Sequence, residues 1–225
     1  MKISPRRRAR VAAAFARLRQ LYPDARCELL HEGPFQLLVA TVLSAQTTDR
    51  MVNQVTPALF HRFPDAESLA RAAPEEVEPL LARLGFFRVK AKNIVALARQ
   101  LVEHHQGKVP ADFKALVALP GVGRKTANVV LGVCFGVPEG VVVDTHVQRL
   151  SQRLGWTRET TPDKIERELT ALFPPEERDL VSHVLIFHGR RVCSAQRPVC
   201  DRCGVRDLCP SAGRAEHIGR KKKRA

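Results

Sequence analysis

The stretch Leu119–Val130 reads Leu-Pro-Gly-Val-Gly-Arg-Lys-Thr-Ala-Asn-Val-Val, and it predicts two helices joined by a tight turn. The first helix ends at Leu119, the Pro-Gly-Val-Gly sequence turns the chain, and the second helix begins at Arg124. Two glycines let the backbone approach a partner closely, and the N–H groups at the start of the second helix can bind a phosphate oxygen. An ordinary turn between helices is the alternative for this segment taken alone. A Walker A loop is excluded because its spacing is absent.

Outside this hairpin, apolar residues repeat with the period of a helix. The clearest examples are Phe35, Leu38, Val39, Val42 and Leu43, followed by Ile94, Leu97, Ala98, Leu101 and Val102. Pro74 and the segment Thr161–Asp163 have the composition of helix starts. The valines of Val141–Val143 form the only strand-like run, which is too isolated to build a sheet. The sequence therefore predicts an all-α fold of about ten helices.

The composition is that of a globular protein with a polyanionic partner. The 225 residues are 44% hydrophobic, enough for a core without disulfides, and no apolar run approaches the length of a membrane span. Because no export signal is evident, we expect a cytoplasmic protein. The net charge of +14 favours nucleic acid or an anionic membrane surface as the partner. Ten basic residues lie in two acid-free runs, residues 1–10 and 220–225, which are as typical of solvated arms as of a binding site.

Lys125 and Asp144 are the candidate catalytic residues. Lys125 lies in the first turn of the second hairpin helix, where Arg124 and the positive end of the helix dipole disfavour a charged amine. A nucleophilic lysine needs such an environment, although a second phosphate-binding cation is the alternative. Asp144 follows three valines and precedes another helix. Its carboxylate can cap that helix, relay protons or stabilise a cationic sugar, and these roles are compatible.

Four of the six cysteines lie close together, namely Cys193, Cys200, Cys203 and Cys209. In a cytoplasmic protein such a cluster predicts a metal site rather than disulfides. Four thiolates suit either a [4Fe–4S] cluster or tetrahedral zinc, and the ligand type alone leaves both open. The other two cysteines, Cys27 and Cys134, are predicted to be small buried residues.

In combination, the motifs LPGVGRKTANVV, VDTHV and LSAQTTD resemble those of the endonuclease III family, the helix-hairpin-helix DNA glycosylases. The resemblance extends from Pro34 to Cys209. It implies two helical domains flanking a DNA-binding cleft, a six-helix domain at residues 31–138 and an iron–sulfur cluster domain with a basic tail at residues 139–225. The helix within residues 1–30 is implied to pack with the cluster domain.

The resemblance also implies a reaction and a cofactor. Lys125 would attack C1′ of a damaged nucleotide flipped from double-stranded DNA, expel the base and form a Schiff base that undergoes β-elimination 3′ to the abasic site. Asp144 would assist base departure and proton transfer. The implied substrates are oxidised or ring-saturated pyrimidines and abasic sites, bound by a monomer in the prokaryotic nucleoid. The four cysteines would hold a [4Fe–4S] cluster that shapes a basic loop for DNA.

Gln46 matches the family residue that enters the gap left by the flipped base, and Phe86 would be the apolar wedge where the family often has a Leu-Tyr pair. Thr47 stands where the family often has alanine, close enough to the pocket to alter substrate preference. The implied DNA-contacting residues are Gln46, Phe86, Phe87, Gly121, Val122, Gly123, Arg124, Thr126 and Arg197. The alternatives are a helix-terminal role for Gln46 and a core position for the two phenylalanines.

Two other functions compete with the lyase. The adenine-removing glycosylases share the hairpin, the aspartate and the cluster, but they normally lack the lysine and have a further C-terminal domain. Lys125 and the short chain argue against that branch. A non-catalytic DNA-binding module is the second alternative, and the coincidence of Lys125 with Asp144 argues against it. A membrane-surface protein driven by its basic termini ranks third.

Overall fold

The computed structural model describes residues 4–219, which form eleven α-helices and contain no β-strand. The all-α prediction is confirmed. The helices are α1 (Pro5–Leu21), α2 (Pro34–Leu43), α3 (Asp49–Arg62), α4 (Ala66–Arg71), α5 (Pro74–Leu81), α6 (Phe87–His105), α7 (Phe113–Ala118), α8 (Arg124–Val130), α9 (Thr145–Arg153), α10 (Pro162–Leu172) and α11 (Arg178–Arg191). A π-helical turn, Leu131–Phe135, continues α8, and short 3₁₀ turns follow α11. The basic run at residues 220–225 and Lys2 lie outside the described residues.

The chain divides into two compact units, and residues 28–137 form one of them. Helix α2 is its centre, because Pro34 starts the helix and every residue from Leu37 to Leu43 is buried. An all-round apolar helix of this kind belongs inside a core. Helix α6 packs against α2, α4 and α5, and α8 packs against α2 and α7. The hairpin that joins α7 to α8 is therefore anchored on the central helix.

Residues 1–27 and 138–225 form the other unit. Helix α1 packs against α11, and α9 also packs against α11. The core includes Trp156, which is fully buried, and Phe173, whose ring lies edge-on to Phe15 with 5.1 Å between the ring centroids. This unit is thus assembled from two separate parts of the chain.

The N-terminal basic run is not a solvated arm throughout. Ser4 caps α1 and Pro5 occupies its first turn, so a helix begins within the run. Arg7 pairs with Glu168 at 3.3 Å and also donates to the carbonyl of Trp156. Arg10 donates to the carbonyl of Gly155 at 3.4 Å. These two arginines are therefore not part of a solvated arm, because helix formation places them against the C-terminal part of the unit.

Candidate active site and cysteine cluster

The hairpin requires glycine at one of its two glycine positions. Gly121 has φ +76°, and a Cβ there would lie 3.2 Å from Val42 and 3.3 Å from Asn93. Gly123 has extended backbone at the N-cap of α8, with nothing within 4 Å of a Cβ. Val122 is buried, whereas Gly121 and Gly123 on either side of it are exposed. The hairpin thus brings together α8, α2 and α6 at Gly121.

The start of α8 presents two exposed basic side chains. Lys125 is exposed in the first turn, as predicted, and Thr126 beside it is half-buried. The guanidinium of Arg124 lies 4.9 Å from the ring centroid of Phe113, the first residue of α7. This cation–π contact holds Arg124 against the opposite arm of the hairpin. The amine of Lys125 is accessible to a partner as large as DNA.

Asp144 caps α9 in the other unit. Its Oδ1 accepts hydrogen bonds from the backbone N–H groups of His146 and Val147, both at 2.8 Å. Val141 and Val142 are buried, which anchors the extended segment before it. Within residues 4–219, no hydrogen bond is made to the second carboxylate oxygen, Oδ2. The capping role is present, and the geometry leaves one oxygen for another partner.

Arg149 joins the start of α9 to the cysteine loop, a role that no sequence pattern predicts. This buried residue donates to the carbonyls of Gly189 and Cys193 at 3.2 and 3.3 Å, and its Nη2 lies 3.0 Å from His146 Nδ1. Burial is the main cause that lowers the pKa of Arg149. The Arg149 side chain therefore contacts both His146, at the start of the helix that Asp144 caps, and the backbone of Cys193, the first of the four clustered cysteines.

The two residues predicted to enter the duplex share an uncommon backbone conformation. Gln46 has φ +54° in the exposed turn between α2 and α3, where Thr48 caps α3. Phe86 has φ +58° at the N-cap of α6, and it is 69% exposed. Among the described residues, one other non-glycine residue, Gln106, has positive φ, and it ends α6. Left-handed backbone is costly for such residues and clusters at functional sites.

Phe86 does not belong to the core, which removes one alternative for it. Phe87 is half-buried at the start of α6, and the guanidinium of Arg88 lies 4.9 Å from its ring centroid. Lys90, on the same helix, is a further candidate site residue that the sequence motifs did not indicate. Lys90 is buried, its Nζ donates to Thr47 Oγ1 at 2.7 Å, and desolvation lowers its pKa. The only sequence signal for it is a lysine on the apolar face of α6.

The four clustered cysteines line one small cavity in their unit, with a volume of about 20 Å³. Cys193 Sγ accepts a hydrogen bond from Arg153 at 3.3 Å, and Cys209 Sγ lies 3.4 Å from the carbonyl oxygen of Arg153. Cys203 Sγ lies 3.6 Å from His188 Nε2. Cys200 completes the lining. The sequence brings all four thiols to one place.

The surroundings of this cavity disfavour free thiolates. Burial raises the pKa of Cys203 and of Cys209, and the neighbouring sulfurs add to the effect. Burial lowers the pKa of His188 to about 4, so this histidine is neutral at physiological pH. Its Nδ1 lies 2.8 Å from the hydroxyl of Tyr22, in agreement with a hydrogen-bonded structural role. A bound cation is what such a set of thiols needs to ionise.

Within residues 4–219, no three His, Cys, Asp or Glu side chains are arranged as a ready-made site for a metal ion. Arg197 is exposed in the same loop as the four cysteines, and its backbone N–H donates to Ser194 Oγ at 3.1 Å.

Cys27 and Cys134 are half-buried, so their predicted burial is wrong. No helix of the described chain is long and apolar enough to cross a membrane.

Residues 39–175 match the model of the HhH-GPD superfamily of base excision DNA repair proteins. An endonuclease III of Synechocystis sp. (strain ATCC 27184 / PCC 6803 / Kazusa) is 54% identical over 195 residues, which cover 87% of this chain and 89% of that protein. The chain belongs to the endonuclease III family. The family's Bacillus subtilis (strain 168) protein is 44% identical over 200 residues, which cover 88% of this chain and 91% of that protein.

Solved structures of the family share this fold. A non-covalent endonuclease III–DNA complex matches with a TM-score of 0.85 and 40% identity, covering 94% of this chain and 97% of that chain. A trapped endonuclease III–DNA covalent intermediate, an estranged-adenine complex, matches equally well and covers 98% of that chain. A thermostable thymine-DNA glycosylase, 22% identical with a TM-score of 0.78, shares the fold.

Proposed function

We propose that this protein is a bifunctional DNA glycosylase and AP lyase of base excision repair, with Lys125 as its nucleophile. The observation that carries the proposal is the exposed amine at the start of the hairpin helix, in a chain of the endonuclease III family. Its partner is double-stranded DNA. The substrates we propose are oxidised or ring-saturated pyrimidines and abasic sites, processed by a monomer in the cytoplasm at the nucleoid.

The reaction assigns one role to each candidate residue. Lys125 Nζ forms a bond to C1′ while the glycosidic bond breaks, and the departing base takes up a proton. Ring opening gives an iminium between Nζ and C1′. Loss of a C2′ proton then expels the 3′ phosphate, and water releases the lysine. Asp144 offers Oδ2 for proton transfer and for the positive charge on the sugar, while Oδ1 keeps the helix capped.

The hairpin of Gly121, Val122 and Gly123, in which the two glycines are exposed, is proposed to hold DNA phosphates together with Arg124 and Thr126. The support is the outward-facing turn and the N–H groups that the first turn of a helix leaves unpaired. Gln46 and Phe86 are proposed to fill the gap behind the flipped nucleotide, and Phe87, which follows Phe86, is proposed to contact DNA as well. Their exposure and left-handed backbone support this assignment.

Cys193, Cys200, Cys203 and Cys209 are proposed to hold a [4Fe–4S] cluster. The chemistry of the donor set fits, because four thiols border one cavity and two of them need a positive charge to ionise. When bound, such a cluster supplies the charge that keeps the thiolates ionised and ties the ends of the loop together. Arg197 is exposed on this loop, where we propose that it contacts DNA.

Borohydride trapping tests the proposal, with duplex DNA that contains thymine glycol or an abasic site. Wild-type protein is expected to form a covalent complex with both. Lys125→Ala should form none, whereas Lys114→Ala, an exposed lysine on the other arm of the hairpin, should trap normally. Asp144→Asn should fold normally, because asparagine caps helices as well as aspartate does, but should release the base far more slowly.

No trapped complex with wild-type protein that binds DNA would refute the lyase assignment. Lys125 would then be a phosphate-binding cation. Iron and zinc content of the purified protein, together with its absorption spectrum, tests the cluster separately from the trapping.

A further inference from the structure

Lys90 connects the two exposed segments that carry Gln46 and Phe86. It lies on α6 four residues after Phe86, and it is only 5% exposed. Its Nζ donates a 2.7 Å hydrogen bond to Thr47 Oγ1, and Thr47 directly follows Gln46. One bond therefore joins the turn after α2 to α6, the helix that Phe86 precedes.

This arrangement is a poor way to stabilise a fold. An ammonium group has three N–H donors, and within residues 4–219 Lys90 forms one hydrogen bond and no ion pair. Its partner is a neutral hydroxyl, which compensates little for the desolvation of a charge. Methionine or leucine would fill the same space without that cost. The amine has a use that packing alone does not supply.

The turn that accepts the hydrogen bond from Lys90 has strained backbone at Gln46, the residue before Thr47. Gln46 has φ +54°, and such backbone persists only where surrounding contacts determine it. Within the turn, Thr47 N–H donates to the carbonyl of Ser44 at 3.0 Å. The bond from Lys90 is the long-range contact, because it comes from a helix 43 positions along the chain. It reaches the residue that directly follows Gln46.

We propose that Lys90 is a positioning residue for gap filling. Its bond to Thr47 holds Gln46 in the conformation that enters the space behind a flipped nucleotide, in register with Phe86. This inference rests on the proposed function of Gln46. Lys90 acts through Gln46 and does not touch the reacting sugar. The hydrogen bond between Lys90 and Thr47 thus positions Gln46 rather than stabilising the packing of the core.

The test is epistasis with Gln46, measured in the full-length protein as the single-turnover rate of base release from a thymine glycol duplex. Thr47→Val removes the hydroxyl and keeps the shape, and Thr47→Ser keeps the hydroxyl. Lys90→Met removes the amine, and Lys92→Met makes the same change at an exposed lysine of the same helix. Each substitution is made in wild-type protein and in Gln46→Ala. Thermal unfolding reports whether each variant is folded.

In wild-type protein, Thr47→Val and Lys90→Met are each expected to slow base release by about tenfold, the effect of losing one hydrogen bond to a charged group. Thr47→Ser and Lys92→Met should stay within about twofold. In the Gln46→Ala protein, Thr47→Val and Lys90→Met should each slow base release by less than about a further twofold, because the side chain that the Lys90–Thr47 bond positions is absent.

Equal losses in the two backgrounds would overturn the inference, because a packing role persists without Gln46. No loss in wild-type protein would overturn it as well. If Lys90→Met does not fold, the Thr47→Val and Thr47→Ser pair gives the same decision. A wild-type protein that forms no borohydride-trapped complex refutes the proposed function and this inference together, whereas normal trapping with equal losses refutes this inference alone.

Discussion

The hairpin between α7 and α8 and the cysteine loop after α11 differ in what holds them in place. In the hairpin, Val122 N–H donates to the Leu119 carbonyl at 3.1 Å and Gly123 begins α8, so neighbours in sequence make the turn. In the loop, the carbonyls of residues 193–195 accept hydrogen bonds from Arg153, some 40 residues earlier in the chain. Local sequence determines the hairpin, and distant side chains determine the loop.

This difference predicts where a single substitution does most damage. A turn that is held by backbone hydrogen bonds is disrupted only by a substitution whose side chain cannot fit. A loop whose carbonyls share one guanidinium loses several bonds at once when that residue changes.

Arg153→Met is expected to have the largest effect. Arg153 is 1% exposed, and it donates to four backbone carbonyls and to the sulfur of Cys193. Its loss should lower the free energy of unfolding by about 3 kcal/mol and weaken retention of the proposed cluster, because the carbonyls are left without donors. Urea unfolding and metal analysis measure both.

Arg202→Met is the matched control, since Arg202 is an exposed arginine of the same loop. It should change the free energy of unfolding by less than about 0.5 kcal/mol. Equal stability of Arg153→Met and wild type would show that the loop does not depend on this guanidinium.

Gly121→Ala should cost about 2 kcal/mol of stability, because the added methyl group meets Val42 and Asn93 at a residue with φ +76°. Gly123→Ala adds the same methyl group to extended backbone with open space around it. It should leave the free energy of unfolding within about 0.5 kcal/mol of wild type. Urea unfolding of the two variants gives the comparison, and equal losses would mean that crowding at Gly121 is unimportant.

The smallest expected effect is a gain in stability. Phe86→Gly relieves left-handed backbone at an exposed position, so it should raise the free energy of unfolding by about 0.5–1 kcal/mol. Phe86→Ala removes the ring and keeps the backbone strain. Both variants should release thymine glycol more slowly than wild type. If Phe86→Gly is no more stable than Phe86→Ala, the conformation of this residue stores no strain.

Much of the site could be predicted because its signals are local. The Pro-Gly-Val-Gly turn, the first-turn position of Lys125 and the cap at Asp144 each depend on residues within a few positions. The helical period gave the all-α class for the same reason. Motif resemblance supplied the family, which the matching relatives confirm.

The rest depends on contacts that no short pattern contains. The Lys90–Thr47 bond spans 43 positions, and the Arg149 bonds to Gly189 and Cys193 span 40 and 44. Positive φ at Gln46 is invisible in sequence because glutamine rarely adopts it. The role of the N-terminal arginines was left open by the sequence because the partners of Arg7 lie about 150 positions away.

The unit formed by residues 1–27 and 138–225 has a consequence for biosynthesis. During translation, residues 28–137 emerge as one contiguous stretch that belongs to a single unit. Helix α1 emerges before this stretch, yet Val11, Phe15 and Leu18 share a core with residues from Val141 to Val205, which emerge after it. The apolar face of α1 therefore stays uncovered until those later residues have been made.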